Sequence, residues 1–322
     1  MISMPDFKEK QILFVNTEWG KPSHLRYSND NIVFEQDGKV INRASVHKVF
    51  AVFICGDLSF TTNFIKKSRE FGVSVFLLKH NFEMYGGLFT TAEGHYLLRS
   101  KQYHQTDDEQ LIMAKKLVTN KIKNQTNVIT SGADLETKII WQKKIKTSLD
   151  QIDAVTNCKV LLGIEGNYSK EYFGKQFANI DWRRRAPRTK EDINNLLLDI
   201  GYTLLFNLTD SLLRLHGFDT YKGFYHTLFF QRRSLACDVM EPLRPIIDRK
   251  IVKMFNLKQI STKDFIVENG AFVLPFEFYP KYVGNFLQSL MDEKEEIFAY
   301  IHGFYQHMMN PVKYPFPNFN LK

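Results

Sequence analysis

Between residues 91 and 106 the hydrophobic pattern of the chain changes from strand-like to helical, which restricts the fold to an α+β class. Before this point, short β-branched and aromatic runs are separated by turn residues. The runs predicted as strands are 11–16, 24–27, 31–36, 39–42, 46–55 and 73–78. After it, apolar residues recur at helical spacing. The segments predicted as helices are 109–123, 134–150, 160–177, 192–215 and 280–307. We therefore predict a β-rich N-terminal domain at 1–90, a linker at 91–106 and a mainly α-helical domain at 107–322.

Turn residues add detail to both domains. The dipeptide Asp37-Gly38 favours the positive φ angles of a type I′ turn, so it predicts a hairpin, and Asn269-Gly270 predicts a second one among the helices. The pair Gly86-Gly87 predicts another turn. Ser59 or Thr61 can cap one helix within the β-rich domain, and this helix would end at Gly72. The Pro- and Phe-rich residues from 311 onward are expected to form an extended arm.

Charge and cysteine content limit the partners and the compartment. The formal net charge of +8 favours a polyanionic partner, although a basic protein that is merely soluble is the alternative. The three cysteines are far apart, so they build neither a disulfide framework nor a zinc motif. The most apolar long segment, 196–213, is interrupted by polar residues and predicts a buried helix rather than a membrane span. We expect a cytoplasmic protein without membrane association.

One short stretch gathers an imidazole and two carboxylates. His226 precedes Asp238 and Glu241, which are three residues apart and would share one face of a helix. Because apolar residues surround the two acids, a divalent cation is the simplest way to neutralise them. His226 could supply a third ligand, and a mixed nitrogen and oxygen set suits Mg²⁺ or Mn²⁺. The alternatives are a core histidine and a glutamate that pairs with Arg244 beside the helix break at the following prolines.

A further carboxylate, Glu165, lies at the edge of the apolar stripe of the helix predicted at 160–177. Gly163 and Gly166 flank it, and two glycines are unfavourable within a helix. Close approach of another backbone or of a ligand would explain them. The alternative is an ordinary glutamate at the boundary of a helix face.

The densest positive run contains Arg183, Arg184, Arg185 and Arg188 beside Trp182. Guanidinium groups bind phosphates in a bidentate way while an indole stacks on a base or a sugar, so this loop could bind a nucleic acid. A solvated loop before a helix is the alternative interpretation. A second basic site, Arg232 and Arg233, lies between the candidate metal ligands in sequence, which suits an anionic substrate.

The order and spacing of these motifs resemble the CRISPR-associated spacer-acquisition endonuclease/integrase family (Cas-one). The resemblance is strongest over residues 160–250. The motifs that carry it are Gly-Ile-Glu-Gly at 163–166, the arginine run at 183–188 followed by the helical segment 194–205, Gly-Phe-Tyr-His at 223–226, and residues 235–245.

The resemblance implies roles for individual residues. The metal ligands of the family correspond to Glu165, His226 and Glu241, and Asp238 matches a further acidic position that some members need for catalysis. Arg244 and the arginines named above would contact DNA. Tyr225 stands where the family more usually has an aliphatic residue.

The resemblance also implies the activity and the partners. The chain would be a Mg²⁺- or Mn²⁺-dependent DNA endonuclease/integrase that inserts short foreign DNA at the ends of CRISPR repeats by transesterification. It would act on double-stranded prespacer and repeat DNA as a homodimer, formed through the N-terminal domain. A small companion adaptation protein would join two such dimers into a heterohexamer. Two alternatives remain open: a metal-dependent nuclease on branched DNA that inserts nothing, and a basic scaffold that binds DNA without catalysis.

Overall fold

The protein is described by a computed structural model over residues 7–18, 20–79, 82, 84–89, 94–226 and 229–321. The chain forms two compact units. The first contains the residues up to 100 together with 210–219, and the second contains 101–209 and 220–322. Strands occupy the first part of the chain and helices most of the rest, so the predicted α+β class is confirmed.

The first unit contains two four-stranded sheets, with strand orders β1-β5-β7-β8 and β4-β3-β2-β6. Their strands are β1 (Gln11–Asn16), β2 (Ser23–Ser28), β3 (Asn31–Gln36), β4 (Lys39–Ser45), β5 (Val49–Cys55), β6 (Ser59–Phe60), β7 (Ser74–Leu78) and β8 (Met84–Leu88). The continuous apolar run of β5 is buried at every position, because β5 lies between two parallel neighbours. Helix α1 (Thr62–Glu70) begins at the predicted N-cap Thr61, whose side chain accepts a hydrogen bond from the Phe64 amide.

The turn predictions for this unit have different outcomes. Asp37 and Gly38 have φ angles of 51° and 72°, as the predicted type I′ turn between β3 and β4 requires. The turn predicted at Gly86-Gly87 is wrong, because both glycines lie within β8, which pairs antiparallel with β7. A Cβ atom on Gly87 would lie 2.7 Å from the backbone oxygen of Val75, so this glycine permits close approach of two strands.

The rest of the chain is mainly helical. Its helices are α2 (Tyr96–Tyr103), α3 (Asp107–Thr130), α4 (Leu135–Asp153), α5 (Cys158–Gln176), α6 (Ile193–His216), α7 (Ser234–Val239), α8 (Pro245–Asn256), α9 (Tyr279–Asp292) and α10 (Lys294–Met309). Helix α2 lies inside the predicted linker, of which residues 91–93 are outside the described part of the chain. The single helix predicted at 280–307 is two helices separated at Glu293, whose carboxylate accepts a 2.9 Å hydrogen bond from Arg249.

The predicted hairpin at Asn269-Gly270 is present. Strands β9 (Ile266–Glu268) and β10 (Ala271–Val273) pair antiparallel across it, and both turn residues have positive φ angles.

Helix α3 organises the second unit. Thr106 and Glu109 form a capping box at its N-terminus, which satisfies two of the first free amide groups. Helices α4, α5 and α8 pack against it, as does the 3₁₀ turn Glu241–Leu243. The predicted C-terminal arm is extended but lies against α3. There the Asn120 side chain donates to the Phe319 carbonyl at 2.8 Å and accepts from the Phe319 amide at 2.9 Å.

Helix α6 is long and apolar enough to cross a membrane by length and composition alone. However, 83% of its most apolar 18-residue window is buried inside the protein. This burial agrees with the core helix predicted from the polar residues that interrupt the segment.

Candidate active site

Four side chains from four separate elements of the second unit meet at one place. Helix α3 contributes Lys121 and helix α5 contributes Glu165. His226 lies between α6 and α7 in sequence, and Glu241 begins the 3₁₀ turn that follows α7. The structure therefore brings together the three residues expected as metal ligands, and it adds a lysine.

The Lys121 ammonium bridges the two glutamates. Its Nζ atom donates to Oε1 of Glu165 in a short hydrogen bond and to Oε2 of Glu241 at 2.7 Å. The side chains of Lys121, Glu165 and Glu241 are only 8%, 10% and 3% exposed. Burial would lower the pKa of Lys121, but the two carboxylates raise it, so the amine stays protonated. The lysine thus holds together two acids that would otherwise repel each other.

Asp238 fixes the loop that carries His226. Its buried carboxylate accepts hydrogen bonds from the backbone amides of Phe224 and Tyr225 at 2.7 and 3.0 Å. It also accepts from the amide of His226 at 2.9 Å and lies 2.6 Å from Nδ1 of the same residue. Because an ionised carboxylate only accepts, Nδ1 carries the proton and Nε2 is the free nitrogen. Asp238 therefore positions His226 and does not join the group of candidate ligands.

Gly223 makes this arrangement possible. A Cβ atom at this position would lie 2.6 Å from Oδ2 of Asp238 and 2.9 Å from Ser234. Only glycine lets the loop approach the carboxylate closely enough for three consecutive amides to bond to it.

Glu241 is flanked by two cations. Besides Lys121, the Arg244 Nε atom lies 2.9 Å from Oε2 of Glu241, as the alternative interpretation of this residue anticipated. Burial alone would raise the pKa of Glu241, but Arg244 and Lys121 lower it to about 2. The Arg244 guanidinium also lies over the ring of Tyr202, 4.5 Å from its centroid. Glu241 is therefore ionised at neutral pH, and Arg244 is fixed in its place.

Glu165 is buried because it shares a helix face with apolar residues. It lies four residues after Leu161 and three before Tyr168, both of which are buried. Its second oxygen accepts a short hydrogen bond from the hydroxyl of Tyr225, and burial together with Glu165 raises the pKa of Tyr225 far above its usual value. Glu165 is therefore part of the site, and the boundary interpretation is wrong.

The glycines that flank Glu165 do not have the expected role within the protein. A Cβ atom on Gly163 or on Gly166 would have nothing within 4 Å. Both lie on the exposed side of α5, and no contact within the described residues explains them.

A further buried carboxylate lies behind the site. Asp248 of α8 accepts hydrogen bonds from the hydroxyls of Tyr172 at 3.1 Å and Tyr202 at 2.5 Å. Burial raises its pKa to about 6, although the two hydroxyls and the charges of Arg244 and Lys121 oppose the increase. This cluster joins α5, α6 and α8 behind Arg244.

The donor set fits a divalent cation after one rearrangement. Two carboxylates and a free imidazole nitrogen are the ligands that Mg²⁺ and Mn²⁺ accept, and a carboxylate behind the imidazole is the usual support of such a ligand. His226 Nε2 lies 3.9 Å from Oε1 of Glu241. In the described part of the chain, however, no three acidic, histidine or cysteine side chains are gathered closely enough to hold an ion as they stand. The Lys121 ammonium occupies the space between the glutamates.

The arginines expected at DNA fall into two groups. Arg185 donates to Asn195 at 2.7 Å and to Asp199 at 2.5 Å, so it stabilises its loop, as Arg244 stabilises the site. Trp182 does not present a free indole, because it packs on Phe173 and Phe177 with ring centroids 5.4 and 4.8 Å apart.

The other arginines lie toward solvent. Arg183, Arg188 and Arg232 are exposed, and Arg233 is half-buried at the start of α7. Arg184 is also exposed, and its contacts to Glu191 are long, at 3.3 and 3.4 Å.

Sequence reasoning missed Lys121 and did not assign a role to Tyr225. Lys121 had a signal in the sequence, since it lies four residues after Leu117 and three after Val118 on the apolar stripe of α3. A lysine in such a stripe predicts a buried cation with an acidic partner. The signal at Tyr225 was that the family more usually has an aliphatic residue at this position.

The chain is similar to known proteins in sequence and in fold. A sequence model of the family described as CRISPR associated protein Cas1 matches residues 19–287. The CRISPR-associated endonuclease Cas1 1 of Thermodesulfovibrio yellowstonii is 28% identical over 309 residues, covering 86% of this chain and 97% of that protein.

Solved structures share the fold. A Cas1 protein from Thermotoga maritima superposes with a TM-score of 0.79 at 18% identity, over 97% of this chain and all of the other. A casposase bound to its integration product superposes with a TM-score of 0.77 at 19% identity, over 97% of this chain and 96% of the other. A chain of a Cas6-RT-Cas1–Cas2 complex superposes with a TM-score of 0.76 at 22% identity, over 98% of this chain and 36% of the other.

Proposed function

The chain belongs to the Cas1 family, the endonuclease/integrase family of CRISPR adaptation, and from this membership we propose that it inserts short DNA into the CRISPR array by metal-dependent transesterification. The observation that carries the proposal is the convergence of Glu165, Glu241 and His226 from three distant segments of the chain.

The three side chains would hold one divalent cation. Glu165 and Glu241 would be its anionic ligands and Nε2 of His226 its neutral ligand, with Asp238 keeping the proton on Nδ1. When bound, the ion supplies a positive charge that stabilises the phosphoryl oxygens and the attacking and leaving oxygens. The hydrogen bonds that Asp238 accepts keep the imidazole in one orientation, so the ligand set needs little rearrangement at the loop.

The proposed step exchanges one phosphodiester for another. The 3′ hydroxyl oxygen of the captured DNA attacks the phosphorus at the edge of a repeat, and the bond from that phosphorus to the 3′ oxygen of the neighbouring nucleotide breaks. The attacking hydroxyl loses its proton and the leaving oxygen gains one, so no cofactor is consumed. Hydrolysis is the same step with water as the nucleophile, so the same site could also support endonuclease activity.

Exposed arginines would hold the DNA. Arg183, Arg184 and Arg188 lie on one loop, and their guanidinium groups suit phosphates. Arg232 lies between His226 and Glu241 in sequence, next to Phe229 and Phe230, which are 76% and 85% exposed. Aromatic rings that face solvent beside a cation suit stacking on unpaired bases. Arg185 and Arg244 are left out of the proposed DNA surface because intramolecular partners hold them.

The partners are proposed from the family. A structural relative assembles in a complex that contains Cas2, and another is bound to an integration product. We propose that this chain acts on double-stranded prespacer and repeat DNA as a homodimer, and that a Cas2-type protein joins two dimers.

A strand-transfer assay with the full chain tests the proposal. A labelled prespacer and a repeat-containing plasmid are incubated with the protein and Mn²⁺, with and without the Cas2-type partner. Glu165→Ala and His226→Ala should reduce insertion to background and leave the oligomeric state unchanged. Glu136→Ala, at an exposed position of α4, is the matched control and should retain insertion.

The other interpretations predict different results. A nuclease of branched DNA would cut junction substrates in Mn²⁺ and insert nothing. A scaffold would bind DNA equally well in EDTA, and Glu241→Ala would matter no more than Glu136→Ala. Unchanged strand transfer by Glu165→Ala or His226→Ala would contradict the proposed site.

A further inference from the structure

We infer that Lys121 is an internal counter-ion that occupies the place of the divalent cation and sets the affinity of the site for it. In the unloaded protein its ammonium holds Glu165 and Glu241 together, and on loading the ammonium withdraws. The inference rests on the proposed function, since it assumes that these carboxylates receive the ion.

The first argument is geometric. Nζ of Lys121 bonds to one oxygen of each glutamate, so it lies where an ion shared by both carboxylates would lie. If the ammonium and the ion both lay between these oxygens, they would repel each other strongly, because the site is buried. The ammonium and the ion therefore exclude each other between these oxygens.

The second argument is the charge balance. Two carboxylates, Glu165 and Glu241, face two cations, Lys121 and Arg244, so the unloaded cluster is neutral. A neutral cluster is the stable state for buried ionised groups. Adding a divalent ion without moving a side chain would leave two uncompensated positive charges, and withdrawal of the ammonium reduces this excess.

The third argument identifies which cation can move. Arg244 lies over the ring of Tyr202 and is fixed by that contact. Lys121 carries its charge on a flexible four-carbon chain, and the bonds described for its amine go to the two glutamates. The backbone of α3 is held at this point, because Asn120 and Asn124 both bond to residue 319. The side chain would therefore move while the helix stays in place.

The Lys121→Met variant tests the inference on the full chain without DNA. Mn²⁺ binding is measured by the electron paramagnetic resonance signal of the free ion, and the melting temperature is measured in EDTA. Without the competing charge, we expect Mn²⁺ to bind about tenfold more tightly or better. The variant should also melt at a lower temperature in EDTA, because the two glutamates then repel each other. Mn²⁺ should raise its melting temperature by more than it raises that of the wild type.

Lys123→Met is the matched control, since it removes the same charge from an exposed position of the same helix. Its Mn²⁺ affinity and its melting temperature should equal those of the wild type. A merely structural role for Lys121 would lower stability in EDTA but would not tighten Mn²⁺ binding.

The outcomes separate the two proposals. If Mn²⁺ binds the wild type and Lys121→Met equally, or binds the variant more weakly, the inference is wrong and the proposed function stands. If neither protein binds Mn²⁺ at a site that Glu241→Gln removes, both are wrong. Should Lys121→Met fail to fold, Lys121→Arg retains the charge and should bind Mn²⁺ no more tightly than the wild type. A tenfold gain in that variant would contradict the inference.

Discussion

A single oxygen of Asp238 contacts His226 twice, 2.9 Å from its backbone amide and 2.6 Å from its ring Nδ1 atom. The same carboxylate therefore determines where the loop lies and which ring nitrogen remains free. The imidazole cannot turn without breaking its own bond to the oxygen that also accepts from the backbone amide. His226 is thus oriented before any ligand arrives, which lowers the cost of assembling the site.

Replacing Asp238 with Asn should disconnect this loop. An amide oxygen accepts fewer hydrogen bonds than a carboxylate, so some of the amides of Phe224, Tyr225 and His226 lose their acceptor. We expect strand transfer to fall by about 10- to 100-fold and the free energy of unfolding by about 1–3 kcal/mol. Strand-transfer rates and urea denaturation measure the two effects. Asp181→Asn, at an exposed loop position, is the control, and an equal loss there would contradict the prediction.

Two glycine substitutions should change stability in opposite directions. Gly223→Ala places a Cβ atom against Oδ2 of Asp238, so it should lower the free energy of unfolding by about 1–3 kcal/mol and reduce strand transfer. Gly166→Ala places its Cβ in open space within helix α5, so it should raise the free energy of unfolding by about 0.5–1 kcal/mol. Thermal and urea denaturation provide the comparison. A stable Gly223→Ala protein with full activity would show that the loop approaches Asp238 less closely.

The buried Asp248 should make stability depend on pH. Burial raises its pKa to about 6, above the value of 3.8 for a free aspartate. The folded state therefore binds the proton more tightly than the unfolded state does, so the stabilisation from this group is complete below pH 4 and is lost as the pH rises through 6. The groups that face it are Tyr172, Tyr202, Arg244 and Lys121.

Asp248→Asn should remove this dependence while retaining an acceptor for the tyrosine hydroxyls. The stability difference, wild type minus variant, should fall by about 2–3 kcal/mol between pH 4 and pH 7.5. Urea denaturation at four pH values in this range measures it. A difference that stays constant would mean that Asp248 titrates near its ordinary value.

The C-terminal segment should support the site through Asn124. This side chain donates to the carbonyl groups of Phe319 at 2.9 Å and Pro242 at 3.1 Å, and it accepts from the Leu321 amide at 3.1 Å. Pro242 directly follows Glu241, so Asn124→Ala should destabilise both segments. We expect a loss of about 1–3 kcal/mol in the free energy of unfolding, together with weaker Mn²⁺ binding. Asn127→Ala, exposed on the same helix, should have neither effect.

Much of the fold could be predicted because its signals are local. The helix predicted at 160–177 is α5 at Cys158–Gln176, since the apolar spacing that predicts a helix depends only on neighbouring residues. The turns at Asp37-Gly38 and Asn269-Gly270 follow from the backbone preferences of two residues. Gly86-Gly87 was misinterpreted because a glycine pair serves a turn and a close strand contact equally well.

The sequence indicates the acids, the histidine and the pairing of Arg244 with Glu241, but it does not indicate which acids Lys121 contacts. Lys121 reaches Glu165 across 44 residues and Glu241 across 120, and no spacing rule extends that far. Likewise, the arginine run predicts a basic loop, but it does not indicate which arginine forms hydrogen bonds within the protein. Arg185 is held by Asn195 and Asp199, a pairing that only the folded loop reveals.

The four side chains of the centre come from segments spread between residues 121 and 241. None of these segments holds more than a fragment of the cluster, so a nascent or partly unfolded chain contains no cluster at all. We therefore expect the site to form only when the helical unit has folded, so that the order of folding determines when the site first exists.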